Sequence, residues 1–311
     1  MTQVISNDVS AITPELWSTM VQVPLYKMLV AKEIANTRFE SELRNADTIH
    51  IPRFGDLSAQ AYTPGTTITA TAQDWAFDNL VVSTYKHVTF YVDNVEQLQS
   101  NIEQATKLAT EAAYRLSDAI DIHTFNNITG TDGFTVADDE DILGGTNARP
   151  ISAGSANIIN IFSGARKVLR QKNVEELGDW AAVVSPGVAS FIETKTATVG
   201  FNVADSTLRN GYAGDFMGFQ VFISNNLPSG SVSTTAPQVS GAAVSATTAK
   251  SMYFGRKGMI DLVLQRAPAL EIRKKDDMLG SNFITWTVYG STVTTKNRSR
   301  GLNVQVQSGF Y

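Results

Sequence analysis

Asp93 to about Asn127 is a run without Gly or Pro, and it constrains the chain more than any other stretch. Val95, Leu98, Ile102, Ala105, Ala109, Ala112, Leu116, Ala119 and His123 recur at three- and four-residue steps. That spacing puts them on one stripe of a helix. Asp93 can cap the first turn, and Glu96 can reach back to the Asp93 amide. Glu103 with Lys107, and Glu111 with Arg115, are i,i+4 pairs with the acid first, the stabilising order. At about 1.5 Å per residue the run makes a rod of roughly 45–50 Å, long for an ordinary domain. Its packing stripe is rich in small residues, so a flat surface can lie close against it.

The rest of the chain must supply that surface. With 311 residues, 43% of them hydrophobic, it can build one large or two modest domains. The net charge of −5 argues against a protein whose main work is gripping phosphates. It leaves room for a wall that packs beside nucleic acid. Cysteine is absent, which excludes disulfides, thiolate catalysis and cysteine-held zinc. The first basic residue is Lys27, so no charged leader precedes an apolar run, and no apolar run is long enough to span a membrane. Synthesis in a cytoplasm is the expectation.

Residues 1–46 read as an arm with too few apolar residues for a core of its own. Thr13-Pro14-Glu15 starts a helix, Pro24 breaks it, and Tyr26, Leu29, Val30 and Ile34 suggest a second short amphipathic piece. A strand follows at Thr48–Pro52, then a long polar stretch from Gly55 to Asn79, then a second strand from Leu80 to Val92. Tyr62, Trp75 and Phe77 fall in the tip between the two strands. A two-stranded hairpin is marginal in water, and long loops without structure of their own are uncommon and usually functional. The hairpin packs either on its own domain or over a neighbouring copy.

After the long helix, residues 127–151 read as a solvated loop. Its acidic run, Asp138 to Asp141, lacks the alternating acids and central Gly of a calcium loop. Asn157–Lys172 is a helix with Ile158, Ile161, Phe162, Ala165, Val168 and Leu169 on one stripe. Trp180–Val184 is a buried strand, and Ser185-Pro186-Gly187 starts a helix to about Thr194. Lys195–Phe216 reads as loop, Gly218–Ser224 as strand, and Ser229–Ala249 as an uncharged exposed loop. Strands are expected at Lys250–Phe254, Met259–Gln265, Leu270–Lys274, Phe283–Thr295 and Leu302–Gln307. Neither regular alternation nor all-β, the order gives the α+β class.

The residues spell out no catalytic constellation, so the chain is not read as an enzyme, and no cofactor or metal is implied. His50, His87 and His123 are too far apart in sequence for a metal pair, although His87 could approach His50 across the hairpin. Asp118 and Asp121 share a helical face at i,i+3, read as solvated rather than as an acid–base pair. There is no Gly-x-Ser-x-Gly elbow and no phosphate loop, and the glycines at 211, 214 and 218 have the wrong spacing for a dinucleotide.

The order of segments resembles that of tailed-bacteriophage major capsid proteins. Pro14-Glu15-Leu16-Trp17 leads to Ala46–Pro52 and then to Tyr62-Thr63-Pro64-Gly65-Thr66-Thr67-Ile68. Phe90-Tyr91-Val92-Asp93-Asn94-Val95-Glu96 opens the long helix. Gly218-Phe219-Gln220-Val221, Ser224–Pro228 and Phe254-Gly255-Arg256-Lys257-Gly258 follow. The resemblance implies the Hong Kong 97-like capsid fold. Its parts would be an N-terminal arm at 1–46, an extended β-hairpin loop at 47–92, and a peripheral domain at 93–180 with a spine helix at 94–126. An axial domain would occupy 181–260, and the return strands of the peripheral domain 261–311. It implies hexamers and pentamers that close an icosahedral virion shell around double-stranded DNA, assembled in the host bacterial cytoplasm. Because the arm begins almost at Met1, a separate scaffolding protein is implied, with a portal and a decoration or cement protein as further partners. Lys86 lies on the hairpin, but nothing near it marks a cross-linking residue. Tyr62, Trp75, Phe77, Tyr85 and Trp17 are the candidate contacts between subunits. A bacterial encapsulin nanocompartment is the alternative of the same fold.

Overall fold

A computed structural model describes residues 27, 29–43, 46–55, 57, 59–68, 70, 75–94, 104–130, 132–137, 139–144, 150–174, 178–199, 212–231, 248–274 and 279–307. Among these residues the strands fall into three sheets.

The largest sheet has seven strands. Along it lie β4 (Thr135–Ala137), β12 (Leu302–Gln307), β9 (Thr248–Arg256), β5 (Trp180–Val184), β7 (Phe219–Ile223) and β6 (Tyr212–Phe216), with β8 (Ser229–Ser231) also pairing β9. β12 runs parallel to β4, and β5 parallel to β7. β5 is buried along its whole length, as its unbroken apolar sequence requires. Helix α4 (Ile158–Gln171) packs its expected stripe here. Phe162 meets Phe216, Phe219 and Phe254 at 4.9–5.8 Å, mostly edge to face, a geometry that adds to area burial. The short helix α3 (Asp139–Leu143) lies tight on α4, because Gly164 lets the Ile142 backbone approach where a Cβ could not fit.

The second sheet orders β10 (Asp261–Lys274), β11 (Gly280–Thr292) and β3 (Thr84–Asp93), all antiparallel. The long helix α2 (Gln104–Asn126) contacts all three strands. Its buried row is Ala112, Leu116, Ile120 and Thr124. Ala119 and His123 of the expected stripe are half-buried beside it. Val95, Leu98 and Ile102, the Asp93–Glu96 cap and Glu103 involve residues outside those described. Glu111 and Arg115 pair at 2.7 Å on the exposed side.

The third sheet is the hairpin of β1 (Thr48–Phe54) and β2 (Trp75–Val81). The single strand expected from Leu80 to Val92 is in fact β2 and β3. The chain breaks at Val82, whose buried side chain joins the core while its amide donates to Asp47 O at 2.8 Å. β2 thus closes the hairpin, and β3 crosses into the second sheet. The crossing is close: a Cβ at Gly290 would strike the Val81 and Val82 backbone.

Other expectations are corrected. The 127–151 loop contains β4 and α3. Helix α5 (Pro186–Val199) runs past Thr194, and β6 lies within the segment read as loop. β10 is one strand rather than two; its register shifts around Arg266, next to Pro268, which has no amide to donate. The arm, too, is only partly an arm. Helix α1 (Ala31–Ile34) with Val30 enters the main core, and Phe39 and Leu43, around the helical turn Arg38–Ser41, pack on Leu80, Val82, Val263 and Val288. The helix expected at Thr13 lies outside the described residues. β4 and β12 join the same sheet as β5, β7 and β9.

Candidate assembly surface

Pairing in the hairpin sorts its side chains by face. Ile49 stands opposite Leu80, Ile51 opposite Asp78 and Arg53 opposite Ala76. This face turns inward: Leu80 is fully buried, and Ile49 and Ile51 pack on the cluster around Phe39. Asp78 fastens it to α6 (Thr295–Arg298), accepting from the Thr295 amide at 3.0 Å and hydroxyl at 2.6 Å, with Arg53 Nε at 3.4 Å.

The opposite face carries His50 across from Asn79, Pro52 from Phe77, and Phe54 from Trp75. All six are exposed. Trp75 is 73% and Phe77 61% accessible. His50 is edge-on to Phe77 at 5.1 Å and bonds Asn79 through Nδ1 at 2.7 Å; Phe54 meets Trp75 at 5.9 Å. The rings therefore form an exposed aromatic face on the ribbon, approached at one end by Lys296 Nζ, 5.2 Å from the Phe54 ring centre. Beyond it, Leu57, Tyr62 and Ile68 are exposed as well.

A second exposed stripe runs along β3, the edge of its sheet: Tyr85, His87, Thr89 and Tyr91. The alternate residues Thr84, Val88, Phe90 and Val92 share the face of Tyr289 and Phe283, the side on which α2 lies.

Four of the five sequence candidates are exposed: Tyr62 in the hairpin tip, Trp75 and Phe77 in β2 rather than in a loop, and Tyr85 on β3. Trp17 lies outside the described residues. Sequence reasoning missed Pro52 and Phe54. Extending the first strand two residues beyond Pro52 would have put them in alternation with His50. His50 and His87 do not meet; His87 pairs in register with Trp286 in another sheet.

Asp118 and Asp121 are not solvated. Both are buried, Asp121 to 2% exposure, where α2 meets the start of α1. Asp121 Oδ1 accepts from the Val30 and Ala31 amides at 2.9 and 2.7 Å, two groups that the start of α1 would otherwise leave unpaired. Asn226 Nδ2 donates to Asp118 Oδ1 at 2.7 Å and Asp121 Oδ2 at 2.9 Å. Lys27 Nζ closes the group, 3.0 Å from Asn226 Oδ1 and 3.5 Å from Asp118 Oδ2. Burial raises the Asp121 pKa, and the amide and Asn226 bonds oppose that rise. Every polar atom here is answered from a distant part of the chain. The arrangement is a clamp on residues 27–34, not acid–base machinery.

Among the described residues no three His, Asp or Glu side chains gather as a metal site, and no helix is long and apolar enough to cross a membrane. What the geometry offers instead is two exposed aromatic stripes on strands packed from behind.

A model of the family described as phage capsid protein matches residues 81–302, well over half of the chain. No curated protein matches it. Solved structures similar to it include that named for Mycobacterium phage Che8, with 19% identity over 96% of this chain and 97% of that one at a TM-score of 0.71. The mature capsid of bacteriophage PhiM1 is 14% identical over 94% and 91%, at 0.62. The capsid of the native GTA particle is 11% identical over 98% and 99%, at 0.59. These likenesses show the fold, and the family match favours a phage shell over a bacterial nanocompartment. The chain belongs to the phage capsid protein family and is a capsid shell protein with the Hong Kong 97-like α+β fold.

Proposed function

We propose that this chain assembles into hexamers and pentamers that close an icosahedral head around the double-stranded DNA of a tailed bacteriophage. The observation that carries the reading is the uncovered aromatic face of the hairpin. Fully burying one such ring stabilises by roughly 1.5–3 kcal/mol. Phe54, Trp75 and Phe77 side by side are therefore a strong driving force once a second copy covers them. Each contact is modest, but repetition around a closed shell multiplies it through effective concentration. Tyr62, Tyr85 and Trp17 are proposed to add to the same contacts.

In this reading β1 and β2 form the extended loop, α2 is the spine of a peripheral domain, and the strands around β5, β7 and β9 form the axial domain. A scaffolding protein, a portal and a decoration or cement protein are the proposed partners, and assembly takes place in the host bacterial cytoplasm. The chain's net charge of −5 fits a wall that encloses DNA without sequence-specific grip. The role is structural rather than catalytic. Concentrating the purified protein and viewing it by negative-stain microscopy tests the reading. Shells, tubes or capsomers are expected; a monodisperse monomer under all conditions would overturn it.

A further inference from the structure

Two adjoining recesses of about 390 and 420 Å³ open beside the hairpin base, sharing Gly258 and Asn297 in their walls. Among the described residues, six cations line them: Arg38, Arg53, Arg256, Lys257, Lys296 and Arg300. Among the described residues three acids do so, and each is engaged, Asp78 and Asp179 in part by the lining cations Arg53 and Arg256. Asp78 accepts from Thr295, Asp261 accepts from Asn36 Nδ2 at 2.6 Å, and Asp179 faces Arg256 at 3.5 Å. Among the described residues the lining is therefore cationic, in a chain that is −5 overall. Burial pushes the Asp261 carboxyl pKa up, opposed by the Asn36 hydrogen bond and by Arg38. Guanidinium forks suit carboxylates and phosphates alike.

Shape and position decide between them. Recesses of this size take one or a few side chains, whereas a duplex presents its phosphates along a broad convex cylinder. The cleft is also continuous with the aromatic face. Pro52 lines the second recess and stands on that face, and Lys296 Nζ lies 5.2 Å above the Phe54 ring. Whatever covers the aromatic face passes over the cleft. We propose that the cleft receives a carboxylate-bearing segment of a second copy of this chain, seated as that copy covers the hairpin. The proposal rests on the assembly reading above.

The test uses shells assembled from an equal mixture of unlabelled and heavy-nitrogen-labelled chains. A carbodiimide then condenses any lysine amine with a carboxylate in contact, losing water to form an amide. Mass spectrometry of the digest is expected to show Lys257 or Lys296 joined to an Asp or Glu of a chain of the other label. Links at these lysines confined to chains of one label, or no links there, overturn the proposal. In parallel, R38E/R300E changes two exposed cations. It is expected to raise the concentration needed for assembly about tenfold or more, since like-charge contacts at an interface are strongly unfavourable, with the circular dichroism of the free chain unchanged. If that variant misfolds, R38Q/R300Q replaces it, with a smaller rise expected. Assembly at the wild-type concentration would contradict the proposal. So would loss of binding to a fluorescent DNA duplex with assembly intact, which assigns the cleft to nucleic acid. Absence of any shell from the wild-type chain would instead overturn the assembly reading.

Discussion

The His123 ring bridges α2 and the second sheet, bonding Ser291 Oγ at 2.8 Å and Thr84 Oγ1 at 3.2 Å and standing edge-on to Tyr289. Burial, reinforced by Lys86, lowers its pKa. The folded chain therefore binds this proton less readily than the unfolded chain. Its contribution to stability is complete above the unfolded value of about 6.5 and is lost as pH falls through the lowered folded value. Denaturant titrations of wild type and His123→Gln should converge below that window and separate above it; parallel curves across the range would contradict this. Asp121 and Asp261 act in the opposite sense. Their raised values favour the folded state most below an unfolded pKa of about 4, an advantage lost as pH rises through the folded values. At Gly290 the constraint is steric. Gly290→Ala should cost about 1–3 kcal/mol by overpacking against Val81 and Val82, read as a lowered denaturation midpoint. At this scale the sequence showed aromatics among polar neighbours at Trp75 and Phe77. It hid Asp118 and Asp121, because acids at i,i+3 normally face water and their partners Val30, Ala31 and Asn226 lie roughly a hundred residues away in the chain.

Each element owes its place to one buried face, and the segment at 27–43 and the hairpin can be loosened separately. Asp121→Ala leaves the Val30 and Ala31 amides without their acceptor. Losing a buried partner costs about 1–3 kcal/mol, and the strap at 27–43 should become the first site of limited proteolysis. Cleavage elsewhere at unchanged rates, with the strap protected, would contradict the clamp. The hairpin should behave in the reverse manner. Trp75→Ser with Phe77→Ser changes exposed side chains only, so the free chain should keep its stability to within about 0.5 kcal/mol. Particle formation, followed by sedimentation, should nevertheless be lost. Helix α4 and strands β5, β7 and β12 were legible because period and burial agree along each. The β2–β3 break was not: alternation continues unbroken through Val82, and only the change of partner ends one strand and starts the next. β10 misled for the converse reason, since Pro268 punctuates the sequence while the strand tolerates it at an irregular register.

The whole molecule divides its apolar surface between a deep core and a face kept open. The core around Phe162, Trp180 and Phe219 holds the large sheet, and the cluster around Leu80 and Val263 holds the hairpin base from behind. A ribbon braced in this way can present aromatic rings to a neighbour without first being ordered, which reduces the entropy lost on association. In the proposed reading, that arrangement is what makes the chain an assembling subunit. The measurement that tests it most directly is cryo-microscopy of particles assembled from the purified chain, at a resolution that shows side chains. The account predicts Phe54, Trp75 and Phe77 buried against an adjacent copy at every position in the shell; particles in which that face looks onto solvent would contradict it.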